Sequence, residues 1–183
     1  MKSILSYFPA IVFCLIALLL LLGPIIVLIG TSFNPETVEF PPKGFSLRWY
    51  IEMFQREDLI NSTIISFFLG LVVALISTII AIPTSLALTK HNFWGKELLN
   101  SIIISPMIVP MVLVGLALFQ FFISIGIFGS FLALIIGHTI ITIPFPFRIL
   151  YGALQTLNPS WEEASRSLGA TKFQTFTKIT LPL

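Results

Sequence analysis

The sequence predicts an all-α membrane protein, a multi-span helical bundle, and three observations lead there. Of the 183 residues, 56% are hydrophobic and only 10% are charged, against about 25% charge in soluble domains. The charges are also segregated: no Asp, Glu, Lys or Arg occurs from Ser3 to Pro35, from Leu59 to Thr89 or from Leu98 to Phe147. These windows are continuously apolar and do not alternate with period two, which disfavours a transmembrane β-barrel.

A membrane helix takes about 20 apolar residues, so the first two windows hold one span each and the third holds two. The expected spans lie near 8–31, 63–88, 101–125 and 130–152, in a single membrane domain covering 1–183. The first run exceeds a secretory signal's apolar region of about 7 to 15 residues and reads as a retained anchor. Cys14, the single cysteine, sits inside it, so no disulfide framework is possible. With the amino terminus inside, four spans gather Lys2, Lys90, Lys96, Arg148, Arg166, Lys172 and Lys178 on one side, seven of the ten basic residues. Lys43, Arg48 and Arg56 remain on the other with five acids. Basic residues favour the cytoplasmic side, so the amino terminus and the closing segment are both expected there.

The outer loop, 32–62, opens with the turn chemistry of "NPE" and "PPKG". Leu47, Tyr50, Ile51 and Phe54 then recur at helical spacing, predicting a short amphipathic helix with Trp49 and Tyr50 as interface anchors. A contact with a delivery partner is the alternative. Pro83, Pro106, Pro110, Pro144 and Pro146 fall within the spans, where proline kinks a helix unless neighbours repair the lost donor.

The spans contain no carboxylate or lysine, which argues against a proton relay or an ion-coupled carrier. His138 is the only ionisable side chain deep in a span. Its two readings are a neutral imidazole bonded to a neighbouring helix and a lining residue of a substrate path; Gln120 is the second candidate for that path. A metal site is not expected, since His91 lies in a loop and no Cys or carboxylate is near His138 in sequence. No phosphate loop ending in Lys-Ser or Lys-Thr is present, and no catalytic residue or cofactor is assigned. Any ATP use must come from a partner. A net charge of +2 with scattered basic residues does not suggest nucleic acid.

The last stretch, "NPSWEEASRSLGATKFQTFTKITLPL", is polar and punctuated. Ser160 stands three residues before Glu163, the spacing of a capping box that starts a helix. Gly169 follows Leu168 and ends it in left-handed geometry. Phe173, Phe176 and Ile179 recur every three residues, consistent with a second short helix. Helices this short do not persist alone in water, so they must rest against something.

The series Glu163, Ala164, Ser165, three residues, Gly169, nine residues, Ile179, one residue, Leu181 and Pro182 resembles the "EAA" loop of the membrane subunits of binding-protein-dependent ABC importers. Serine in place of the second alanine is the one departure. "SFNPE", "GFSLRWY", "NSTIISFFLG", "HNFWGK", "SPMIVPMVLVGLALF" and "GHTIITIPF" extend the resemblance to nearly the whole chain and look most like the polyamine (spermidine/putrescine) branch. Related iron, sulfate and sugar permeases share much of the pattern.

The resemblance implies a type I, MetI-like permease fold of six spans, of which four are present. Two further spans would follow Pro182, and the chain is expected to be incomplete at Leu183. It implies a non-enzymatic, multi-pass subunit of the bacterial inner membrane. Its implied partners are a cytoplasmic ABC ATPase dimer, a second permease chain, an extracytoplasmic substrate-binding protein and membrane lipid. Glu163 would be the charged contact or cap, Ala164 and Ser165 would permit close approach, Gly169 would set the bend, and Ile179, Leu181 and Pro182 would complete the loop that couples to the ATPase. The competing readings are a secondary carrier and a membrane anchor without transport.

Overall fold

The computed structural model describes residues 7–36, 39 and 41–182. Lys2, which enters the orientation argument, and Leu183, where the closing segment ends, lie outside them. The chain divides into two compact units, Met1–Ile65 and Ser66–Leu183. Among the described residues the secondary structure is helical, with no strand.

In the first unit, α1 (Phe8–Ser32) starts with a proline in its first turn and runs for 25 residues, about 37 Å at the helical rise. It needs no internal polar partners until its last turn, where Thr31 Oγ1 and Ser32 Oγ donate to the carbonyls of Leu28 and Ile29. The expected amphipathic helix forms as α2 (Arg48–Gln55). Trp49 and Tyr50 do more than anchor it. The Trp49 indole Nε1 donates to the Asn34 carbonyl at 2.8 Å, and the hydroxyls of Tyr50 and Ser32 share a hydrogen bond of 2.7 Å. Phe33 stacks on Phe45 and lies tilted against Tyr50, at centroid distances of 5.2 and 5.4 Å. The polar tips that suit a headgroup layer are thus spent on tying α2 to the end of α1.

α3 (Glu57–Lys90) is 34 residues long, with Glu57 and Asp58 in its first turn and Lys90 in its last, charges that complement the helix dipole. It is longer than the expected 63–88 because these polar turns extend it at both ends. From Ser66 on it belongs to the second unit, with α4 (Lys96–Ile108), α5 (Met111–Ser124), α6 (Phe131–Thr142) and α7 (Pro144–Thr156).

The third expected span is not straight. α4 and α5 meet at 107°, because Pro110 forces Val109 out of helical geometry, to ψ 134°, and then caps α5 itself. Pro144 behaves differently: it occupies the first position of α7, where a missing donor costs nothing, and Phe131–Thr156 passes as one apolar run. Among the described residues, the helices long and apolar enough to cross a membrane number three, or up to four with the bent pair counted as one.

Without water to drive association, helices in lipid meet through close packing of small residues and shared hydrogen bonds. Ala81 and Leu88 of α3 are buried with Phe147 of α7, and Ile103 and Ile104 of α4 pack against them. Ser85 Oγ, fully buried, donates across this contact to the Phe147 carbonyl at 3.4 Å. A second approach joins α5 and α6. There a Cβ placed on Gly137 would lie 3.4 Å from the Phe122 ring, so glycine lets the two helices touch.

Ser77, also on α3, is fully buried and its hydroxyl has no partner among the described residues. Ser85→Ala is expected to lower the stability of the protein in bicelles by about 0.6 kcal/mol, a typical interhelical bond in lipid. Ser77→Ala should cost nothing, since it removes an unpaired hydroxyl. Equal losses in chemical unfolding would show that Ser77 also bonds across a helix contact.

Candidate functional site

After α7 the chain turns extended at Leu157 and Asn158. α8 (Pro159–Ser167) then begins two residues earlier than the capping-box spacing implied. Asn158 is the cap: its Oδ1 accepts from the Ser160 backbone N–H at 3.1 Å, and Pro159 takes the first helical position. Ser160 is already inside the helix, so the expected Ser160–Glu163 box does not form. Asparagine is at least as good a cap as serine, and the proline beside it fixes the start.

Gly169 ends α8 as expected, at φ +85°. The Gly169 N–H bonds the Arg166 carbonyl at 2.9 Å and the Ala170 N–H bonds the Ser165 carbonyl at 3.2 Å, the paired closure of a Schellman turn. Nothing lies within 4 Å of a Cβ built there. A side chain would therefore be opposed by the backbone angle alone, at about 1–2 kcal/mol.

The chain reverses into α9 (Lys172–Thr175), which opens with a reciprocal capping box between Thr171 and Gln174. The spacing Thr-x-x-Gln is the sequence signal for this start. A π-helical turn, Phe176–Thr180, follows, closed by the Leu181 N–H on the Phe176 carbonyl at 2.8 Å. Across the hairpin Ser165 Oγ meets Thr175 Oγ1 at 3.2 Å, and Thr175 is buried. The serine that departs from the alanine pattern thus has a hydroxyl partner on the opposite limb.

Two adjacent glutamates on α8 have opposite fates. The Glu162 side chain is 12% exposed. Its Oε1 accepts from Lys90 Nζ at the end of α3 and from Thr180 Oγ1 at 2.5 Å. Burial pushes this carboxyl up, but the hydrogen bonds from Lys90 and Thr180 and the charges of Lys90 and Arg166 outweigh it, and the group sits below its ordinary value of 4.5. Glu163 and Ala164 are exposed, as are Leu168 and Phe173 at 89% and 75%. The hairpin therefore leaves exposed an acid, a small residue and, on its two limbs, large apolar side chains.

Of the remaining motif residues, Ile179 is half-buried, while Leu181 and Pro182 line a hollow of about 260 Å³ with Ile82 and Leu86 of α3 and Leu150 of α7. The sequence signalled Glu163 but not Glu162. Its partners Lys90 and Thr180 are 72 and 18 residues away, beyond the reach of a local pattern.

His138 is exposed, and its Nδ1 lies 2.8 Å from the Leu134 carbonyl of its own helix rather than a neighbouring one. A histidine four residues beyond a helical carbonyl can reach it without any tertiary partner. The ring borders a hollow of about 400 Å³ between α5 and α6, with Phe119, Phe122 and Phe128. Gln120 is exposed and does not line that hollow, so the two candidate path residues are not brought together there.

The second unit is thus a set of apolar helices with a polar helix pair fastened to the end of α3. Residues 80–183 match the family described as binding-protein-dependent transport system inner membrane component, and the chain belongs to that family. Its relatives include the spermidine/putrescine transport system permease protein PotC of Haemophilus influenzae, 30% identical over 87% of this chain and 62% of the relative. PotC of Escherichia coli K12 is 29% identical over 87% and 61%. The sulfate transport system permease protein CysT of Salmonella typhimurium is 34% identical over 52% and 39%. The chain thus spans about three fifths of the length of the PotC relatives. In fold it is similar to a crystal structure of a bacterial ABC transporter involved in import of the acidic polysaccharide alginate, with TM-score 0.72 and 17% identity over 97% of this chain and 67% of the other.

The depressed Glu162 carboxyl makes the anchoring of the hairpin pH-dependent. Its folded value lies below its unfolded one, so the contribution is full above the ordinary carboxylate range and is lost as pH falls through the folded value. Backbone hydrogen exchange of residues 158–180 should stay slow from neutral pH to about pH 5 and, corrected for intrinsic rates, accelerate below about pH 4. Corrected rates that are flat across this window would remove the carboxylate from the anchoring.

Proposed function

We propose that this chain is one of the two membrane subunits of an ABC importer and takes up polyamines, and that the α8–α9 hairpin is the surface its ATPase grips. The observation that carries this reading is the split between Glu162 and Glu163. One acid fastens the hairpin to α3, and the next stands exposed, as do Ala164, Leu168 and Phe173 of the same hairpin. An exposed acid with flanking apolar groups on a fastened helix suits a protein partner, because large exposed apolar side chains in one place mark docking surfaces.

Family membership supports the rest of the assembly: a second permease chain, a nucleotide-hydrolysing dimer in the cytoplasm and a substrate-binding protein on the far side. The PotC relatives favour spermidine or putrescine as substrate, and the CysT match keeps sulfate as the second reading. The chain itself has no catalytic role in this scheme.

The four-span arrangement finds support in the same ion pair. Because Lys90 meets Glu162, the end of α3 and the start of α8 lie at one level, so the chain between them crosses an even number of times. The run Phe131–Thr156 supplies one crossing and the bent pair α4–α5 the other. The excess of basic residues then favours the cytoplasm for this level.

In vesicles containing the assembled importer, Glu163→Lys should cut ATP-driven spermidine uptake by at least about tenfold, the effect of removing one charged contact, with membrane insertion unchanged and less ATPase co-purifying. Full uptake with full ATPase association in this variant would refute docking through Glu163. For orientation, a cysteine replacing Gly95 should react with an impermeant thiol reagent only after the membrane is breached, and one replacing Gly44 should react in intact cells. The reverse labelling would place the hairpin outside and end the ATPase reading.

A further inference from the structure

We propose that Lys90, Glu162 and Thr180 form a clasp that delivers movement of the coupling hairpin to α3, making Glu162 a positioning residue for transport rather than part of the ATPase contact. The inference rests on the reading of the hairpin as the ATPase-engaging surface and goes beyond it by naming the span that is driven and the bond that drives it.

The covalent route from α8 into the membrane runs through Leu157 and Asn158 to α7, and both residues are extended. A two-residue extended joint transmits a pull poorly in bending. The clasp supplies a second route. Glu162 Oε1 is shared by Lys90, the last residue of α3, and by Thr180, at the end of the π-helical turn. Three segments far apart in sequence therefore converge on one oxygen. A shift of α8 moves that oxygen, and Lys90 is the terminal residue of a 34-residue helix.

The clasp lies next to the packed contact it would load. Leu88, two residues before Lys90, is buried against Phe147 of α7, together with Ala81, and Ser85 bonds the Phe147 carbonyl. Load entering at Lys90 thus reaches the α3–α7 contact from the α3 side, while load through Asn158 reaches it from the α7 side. Pulled only through α7, the two helices could slide; held also at Glu162, they move as a pair. The Glu162 side chain is 12% exposed and that of Lys90 33%, so the pair is shielded more than the exposed surface pair Lys43–Glu39, at 74% and 49%. A shielded, charge-assisted bond persists where an exposed pair is screened.

The test uses the intact importer in proteoliposomes, with two readouts: the amount of ATPase that co-purifies and the substrate taken up per ATP hydrolysed. Glu162→Gln and Lys90→Met should each leave ATPase association unchanged and lower uptake per ATP about tenfold. The double variant Lys90→Glu/Glu162→Lys should return to within about threefold of the wild type, as expected of a directly coupled pair. Return is partial because each reversed charge meets an unfavourable helix dipole. Hydrogen exchange of residues 158–180 provides a readout independent of transport: it should rise in each single variant and fall again in the double.

Loss of the ATPase from Glu162→Gln would make Glu162 a docking residue and overturn the clasp. So would single variants with unchanged uptake per ATP, or a double variant no better than the worse single. Failure of the underlying reading is separable, because it appears as a wild-type protein that retains no ATPase or a Glu163→Lys variant with full uptake, whatever happens at Glu162.

Discussion

One carboxylate oxygen organises the polar end of this protein. Glu162 Oε1 accepts hydrogen bonds from Lys90 at the foot of α3 and from Thr180 beyond the hairpin, and neither limb of the hairpin is long enough to hold itself. α8 has nine residues and α9 four, well under the length at which a helix persists alone in water. Their order is borrowed from the spans. The Schellman closure at Gly169 and the Ser165–Thr175 bond fix the angle between the limbs independently of Glu162, so the hairpin keeps its own shape while Glu162 sets its attachment to α3. Glu163 and Ala164 are exposed.

The membrane imposes the complementary constraint higher up. Backbone groups in hydrocarbon must be satisfied within the chain, and side-chain hydroxyls follow the same rule by bonding the preceding turn. Thr84, Thr89 and Ser101 each donate to the carbonyl four residues back. Such hydroxyls cost little and identify no partner, and His138 reaching the Leu134 carbonyl belongs with them. The hydroxyls that leave their own helix are the informative ones. Ser85 reaches Phe147 and Tyr50 reaches Ser32, and each marks a place where two segments are held in register.

This explains which features the sequence made legible. Spans are composition statements, so the windows empty of charge located α1, α3 and α6–α7 without any tertiary information. Gly169 was legible because a left-handed turn is nearly a one-residue requirement. The break at Pro110 was visible only as a proline. Whether a proline bends a span or starts a new helix depends on what its neighbours satisfy, and Pro110 and Pro144 resolve differently. Asn158 and Ser160 are both competent caps for α8, and Pro159 between them decides for Asn158. Glu162 was hidden for a different reason. Its role is set by Lys90, and only the folded bundle brings residues 72 apart to one place.

The neighbouring glutamates also show why a motif match and a physical reading have to be combined. The pattern match begins at Glu163, yet the acid with side-chain partners, Lys90 and the buried Thr180, is Glu162, and successive residues on a helix point about 100° apart. α8 thus has two unlike faces: Glu162 is turned to Lys90 and Thr180, and Glu163, one residue on, is exposed. Ser165 fits the same geometry. It lies three residues after Glu162, hence on the same face, and is satisfied by Thr175, whereas Ala164 lies on the open side. The departure from alanine therefore falls on the face where a hydroxyl has a partner, and the exposed side keeps the small residue.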